Sequence, residues 1–270
     1  MYDWPEVRPA THALWQAIVD AAGDHGVAHA SGGAAPFVWQ TCGLPFALGL
    51  SGAVHVVGTG AYRAAAEASD HQPGCYHSVV IAQGRSADAF DDERGRFAPF
   101  AGDQPLRCAV NSAHSQSGFA ALLAFLRAQG PEDASGSTGD VIAPGPLGLI
   151  HSGAHRRSIA LVASGAADIA AIDVVSWSLA QAHLDRRMLG RVKVIARTPS
   201  TPALPFVTPH LQAVTRLRTV LAEAIDGLGA EHAIALGLSG FVPRDASDYA
   251  PLAQRFEELR PHPRLRAEDP

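Results

Sequence analysis

The chain has only three cysteines in 270 residues, Cys42, Cys75 and Cys108, and none stands in a Cys-x-x-Cys pair. The common zinc and dithiol signatures are therefore excluded, and an odd count leaves at least one thiol free. Long apolar runs are missing too, because Gly, Pro, His or a charge interrupts each one well before the roughly 20 residues that span a bilayer. No membrane insertion is expected. No basic run occurs, and a formal net charge of -5 gives no footprint for a polyanion, so nucleic acid is not expected as a partner. The chain has neither a Gly-x-Gly-x-x-Gly after a strand nor a Walker-type Gly-Lys-Ser/Thr, which leaves no nucleotide cofactor to expect. The opening Met1-Tyr2-Asp3-Trp4-Pro5-Glu6 lacks the basic start, apolar middle and small-residue cleavage site of a secretory signal. Taken as written, that start predicts a chain that stays in the cytoplasm or is a mature or shortened form.

What is present fits an ordinary folded chain. Charged residues make up 17% against a usual value of roughly 25%, which argues against extensive disorder. At 270 residues the chain exceeds the usual domain of about 100 to 200, so two modest domains fit. Leu14, Ile18, Ala21 and Ala22 recur at helical spacing over 9–22 and stop at Gly23. Short β-branched runs at 54–57, 77–82, 107–110, 169–172 and 192–195 read as strands. Helical patterns at 117–128, 158–163, 174–183 and 211–228 lie between or after them. Such alternation predicts α/β architecture with largely parallel sheets. The polar stretches 83–104 and 130–146 read as surface connections, and the proline-rich 260–270 as a frayed tail.

Three segments can carry chemistry. Asn111-Ser112-Ala113-His114-Ser115-Gln116-Ser117-Gly118 follows a strand and opens a helix. Its unpaired N–H groups and the positive end of the helix dipole suit an anion. Ser115 and Ser117 acting as caps alone would explain the same residues. His151-Ser152-Gly153-Ala154-His155-Arg156-Arg157-Ser158 is a second polar loop before a helix, readable as a binding loop or as a capped turn. Metal binding by His151 and His155 is disfavoured, because Ser-Gly between them breaks the helix that an i, i+4 pair needs. Third, an apolar strand ends in Asp173, placed either to face a ligand crevice or to cap the next helix.

A Ser/His/Asp hydrolase has to be weighed against these readings. The nucleophile elbow requires Gly-x-Ser-x-Gly, and neither His114-Ser115-Gln116-Ser117-Gly118 nor Gly237-Leu238-Ser239-Gly240-Phe241 satisfies it.

Several segments, in order, resemble the phosphate/phosphite/phosphonate ABC-transporter solute-binding proteins. They are Met1 to Glu6, Gln40-Thr41-Cys42-Gly43-Leu44-Pro45, Gly74-Cys75-Tyr76-His77-Ser78-Val79-Val80, Ala109-Val110-Asn111 with Ser115-Gln116-Ser117-Gly118, Ser152 to Ser158, and Asp168 to Asp173. The resemblance implies the two-lobed type II periplasmic-binding fold, with residues 1–80 and 200–270 in one lobe and 81–199 in the other. Each lobe would be a mixed, largely parallel sheet flanked by helices, with a ligand cleft between the lobes.

In the same way the resemblance implies a ligand set of Tyr2, Tyr76, Ser78, Ser115, Gln116, Ser117, His155 and Asp173. The ligand would be a small anion or zwitterion, with no metal and no cofactor. The partner would be a transporter permease, the protein a monomer, and its location the periplasm. The resemblance further implies that Cys42 and Cys75 pair while Cys108 stays a buried thiol. Serine hydroxyls and His155 can donate to an oxyanion, and Asp173 can accept from a protonated oxygen, which sulfate lacks. A cytoplasmic ligand sensor with the same cleft is the alternative from another class.

Overall fold

The computed structural model describes residues 2–27, 38–83, 90–91, 96–97, 105–129 and 147–259. Along the chain the elements are α1 (Arg8–Asp24), β1 (Trp39–Gln40), α2 (Gly43–Pro45), β2 (His55–Tyr62), β3 (Cys75–Tyr76), β4 (Ser78–Gln83), β5 (Phe90–Asp91), β6 (Arg96–Phe97), β7 (Leu106–Val110) and α3 (Ala121–Ala128). There follow β8 (Leu147–His151), α4 (His155–Ser164), β9 (Ile169–Asp173), α5 (Val174–His183), α6 (Arg186–Leu189), β10 (Val192–Arg197), β11 (Thr201–Pro202) and β12 (Pro205–Thr208). The last are α7 (Val214–Asp226), α8 (Ala230–Ala235), β13 (Leu238–Pro243) and α9 (Ala246–Leu259). Of the expected connection at 83–104, only Gln83 and the paired strands β5 and β6 are described. The stretch 130–146 and the tail 260–270 lie outside the described residues.

Two compact units form, Met1–Tyr76 with Ser200–Ala253, and His77–Pro199 with Gln254–Pro270. This corrects the expected boundaries at residue 80 and at 200–270. All of β4 belongs to the second unit because it pairs along its length with both β9 and β10. The end of α9 also belongs there, since Phe256 packs edge-on against Phe119 with ring centroids 6.0 Å apart.

In the first unit the sheet runs β1-β12-β2-β13 and every pairing is antiparallel, so the expected parallel bias is not found there. Helices α1 and α7 bury one face on a core that includes Ile18, Ala22, Val57, Phe206, Leu217 and Leu221. Helix α1 stops at Gly26 rather than Gly23. Gly26 takes φ +66°, which glycine adopts without steric cost, and the next N–H, of Val27, closes on the Ala22 carbonyl at 2.8 Å.

Cys42, Cys75 and Cys108 are all free thiols, which corrects the expected Cys42–Cys75 pairing. The Cys75 sulfur instead accepts from Arg244 Nη2 at 3.3 Å. Cys108 is fully buried in β7, as expected.

The second unit's sheet runs β10-β4-β9-β7-β8 and is mixed. Strand β7 is parallel to β8 and β9, while β4 is antiparallel to β9 and β10. Antiparallel register sets Ser78, the first residue of β4, opposite Asp173, the last of β9. One edge of the sheet therefore collects the start of β4, the carboxyl ends of β7, β8 and β9, and the helices that follow them.

Candidate functional site

The helix after β7 starts with a wide turn. Ser115 is its N-cap, and the Ser115 carbonyl accepts from both Phe119 N, at 3.1 Å, and Ala120 N, at 3.0 Å. Such π-type turns recur at functional sites. Ser115 Oγ accepts from Gly118 N at 2.9 Å, so the expected cap is present, and its own hydroxyl proton is not used by that bond. Gln116, Ser117 and Gly118 are buried in this first turn. Ser78 Oγ donates to the Ser117 carbonyl at 2.9 Å, fastening the turn to β4.

The turn between β8 and α4 is built by Ser152 and Gly153. Ser152 N donates to the Val110 carbonyl at 2.8 Å, and the Ser152 and Ser158 hydroxyls lie 2.7 Å apart. Gly153 has φ +80°, a left-handed conformation that a side chain would strain. That turn sets His155 as the first residue of α4, with its side chain only 10% exposed. His151, at the end of β8, is exposed.

Three groups surround one nitrogen of His155. Ser117 Oγ and Asp173 Oδ2 each lie 3.1 Å from Nε2, and Asn111 Nδ2 lies 3.5 Å away. Asp173 is buried, and its other oxygen caps α5 by accepting from Ser176 N at 2.8 Å. The helix-cap reading of Asp173 is therefore present, and the same carboxylate also meets His155. Burial lowers the His155 pKa below the usual histidine value. The Asp173 charge and, less strongly, the Ala171 carbonyl oppose that shift.

An ionised carboxylate only accepts, so the Asp173 contact requires the proton on Nε2. Ser117 Oγ then serves as an acceptor towards the imidazole and keeps its own proton for an outside partner. Two hydroxyl protons and a helix start thus stand together, a set of uncharged donors suited to a small oxyanion.

Of the eight expected ligand residues, Ser78, Ser115, Gln116, Ser117, His155 and Asp173 lie at this edge of the second unit. Tyr2 and Tyr76 belong to the first unit. Tyr2 packs edge-on against Tyr62 at 5.4 Å and lines a small, mostly apolar pocket with Trp15, Gln40 and Phe206. Tyr76 is buried and paired with Thr201 between β3 and β11. Sequence reasoning missed Asn111 as a site residue, although it stands directly after the strand whose end carries the site.

Two α/β units of this topology and an oxyanion-type helix start define the class of type II periplasmic solute-binding proteins. The solved structures agree. PhnD1 from Prochlorococcus marinus in complex with methylphosphonate is 15% identical, with 91% of this chain and 83% of that chain covered and a TM-score of 0.58. A binding protein component of an ABC phosphonate transporter from Pseudomonas aeruginosa is 15% identical, with 90% and 79% covered and a TM-score of 0.57. A Xanthomonas citri protein bound to chloride ion is 19% identical, with 82% and 75% covered and a TM-score of 0.53. At such identities these likenesses show the fold. Among curated proteins none matches the chain in sequence.

The family itself comes from a sequence profile described as ABC transporter, phosphonate, periplasmic substrate-binding protein, which matches residues 48–249. The chain belongs to that family of transporter substrate-binding proteins. Among the described residues no helix is long and apolar enough to cross a membrane.

Proposed function

We propose that this protein binds a small phosphorus oxyanion, phosphate, phosphite or a phosphonate, as a periplasmic monomer and delivers it to an ABC-transporter permease. The observation that carries the reading is the convergence of Ser115, Ser117 and His155 at a helix start on the ligand-facing edge of the sheet. Ser78 supports it by holding the Ser117 turn in place. Methylphosphonate, bound by the Prochlorococcus marinus protein, is the natural first probe.

The protein acts by binding and release rather than by turnover. A serine hydrolase needs its acid on one imidazole nitrogen and its serine on the other. Here Ser117 and Asp173 meet the same nitrogen, so no proton relay runs from serine through the ring to the carboxylate.

A thermal-shift panel of phosphate, phosphite, methylphosphonate and sulfate tests the reading, because a ligand bound only by the folded protein raises the melting temperature. The phosphorus anions should stabilise and sulfate should not. Stabilisation by none of the three phosphorus anions would refute the assignment.

A further inference from the structure

The wide turn that opens the helix after β7 is gripped on two faces. Successive residues of a helix point about 100° apart, so Ser117 and Phe119, two positions apart, look in nearly opposite directions. Ser117 Oγ meets His155 on one face. On the other, Phe119 is buried and packs edge-on against Phe256, with ring centroids 6.0 Å apart. Phe119 also supplies one of the two N–H groups that share the Ser115 carbonyl and so make the turn wide. A π-type turn is rare, and its surroundings have to hold it.

Phe256 comes from the far end of the sequence, on α9, and it is not on a loose end. Further back on that helix the fully buried Tyr249, in the first unit, donates to the Ala203 carbonyl at 2.7 Å and packs edge-on against Phe46 at 5.6 Å. Beyond Phe256, Arg127 in the last turn of α3 donates to the Glu258 carbonyl. That carbonyl is one of those that a helix end leaves without an intrahelical partner. Phe256 is thus held on both sides along α9, and its ring gives Phe119 a fixed wall.

We propose that Phe256 is a positioning residue of the anion site: the end of α9 backs the wide turn at Phe119 and so keeps the Ser115 and Ser117 hydroxyls in place for the ligand. Only the ligand arm of the test rests on the proposed function.

The test uses F256A, F119A, the double variant and L221A of the intact chain. Leu221 is fully buried in a core of the first unit that contains neither phenylalanine, so L221A costs stability without touching the turn. The readouts are methylphosphonate affinity by calorimetry, the melting temperature, and the imidazole nitrogen signals of His155 by NMR across a pH series. F256A should weaken methylphosphonate about tenfold, because a supporting contact is lost and the donors shift. It should also move the His155 titration, since Ser117 no longer stands where it met the ring. F119A should do the same, and the double variant should lose little more than either alone, because the two rings form one contact. L221A should lower the melting temperature and leave both affinity and titration as in wild type.

Wild-type affinity and an unchanged His155 titration in F256A would overturn the proposal. So would losses of affinity that multiply in the double variant, or an equal loss in L221A. Should F256A not fold, F256L carries the same comparison. If the wild-type protein binds no methylphosphonate, it is the proposed function that fails, and the His155 titration in the ligand-free variants still decides the role of Phe256.

Discussion

Ser117 Oγ and Asp173 Oδ2 stand at the same distance, 3.1 Å, from the same atom, Nε2 of His155. A carboxylate and a hydroxyl that accept from one ring nitrogen leave the Ser117 proton for an outside partner, whereas a nucleophile and its relay would sit on opposite sides of the ring. S117A should therefore weaken methylphosphonate by about 1.5 to 3 kcal/mol, the range for a hydrogen bond to a charged group, with an unchanged melting temperature. Calorimetry and a thermal melt check it. A lower melting temperature with full affinity would instead assign Ser117 to the helix alone.

The buried imidazole makes stability depend on pH with a definite sign. The folded pKa of His155 is lowered, chiefly by burial and in spite of Asp173, so below the ordinary value of about 6.5 the unfolded chain binds a proton that the folded protein resists. This contribution to stability is complete above that value and is lost as pH falls towards the folded pKa. The melting temperature of the ligand-free protein should fall on acidification below about 6.5, and H155Q should flatten that slope. A wild-type slope retained in H155Q would place the effect elsewhere.

An anion beside the ring works in the opposite direction. Two unit charges 4 Å apart interact by about 4 kcal/mol at an effective dielectric of 20, enough to favour the imidazolium. Methylphosphonate binding should therefore be accompanied by proton uptake, read as a dependence of the calorimetric enthalpy on the buffer's ionisation enthalpy. Once the ligand's own titration is accounted for, H155Q should take up less. Equal uptake in the two proteins would contradict the role given to His155.

At the opposite end of the same strand, Asp168 does structural work. Its carboxylate accepts from the backbone N, Nε and Nη2 of Arg107 at 2.9, 3.1 and 2.6 Å, tying the start of β9 to that of β7. Arg107 is about half exposed, so solvent screens the ion pair and the backbone bond matters more. D168A should cost about 1 to 2 kcal/mol of stability by chemical denaturation and leave affinity untouched. A weaker ligand in D168A would mean that the two ends of β9 are coupled.

Glycines in the first unit separate by what surrounds them. A Cβ at Gly58, in the middle of β2, would sit 2.6 Å from the Val242 carbonyl oxygen, and a paired strand cannot retreat cheaply. At Gly240 a Cβ meets nothing within 4 Å. G58A should destabilise by about 1 to 3 kcal/mol and G240A by much less, as read from unfolding midpoints. Similar losses in both variants would contradict this packing.

Much of this was legible in the sequence, and the exceptions have physical causes. The helix over 174–183 and the strand ending in Asp173 follow from periodicity and an acidic stop, and they appear as expected. Strand β13 was hidden because Ser239 and Gly240 break its alternation, and helix α9 because Pro251 and its charges disguise the period. Pairing direction is likewise absent from local pattern, so the antiparallel first sheet could not be read from its runs. Ser115 and Ser117 stood out from donor chemistry at a helix start and Asp173 as an acid ending a strand, whereas His155 entered the expected ligand set through the family resemblance. Asn111 did not stand out, because its approach to His155 joins residues 44 apart, and only the fold shows that a Cβ at residue 118 would fall on its Oδ1.

Titration of the purified protein with methylphosphonate, followed by recovery of the ligand, tests the central claim most directly. The account predicts saturable binding of one ligand per chain, strongly reduced when Ser117 and His155 are changed together to alanine, with the methylphosphonate recovered intact. Failure of phosphate, phosphite and methylphosphonate alike to bind, or release of a product by a reaction that disappears in S117A, would contradict it.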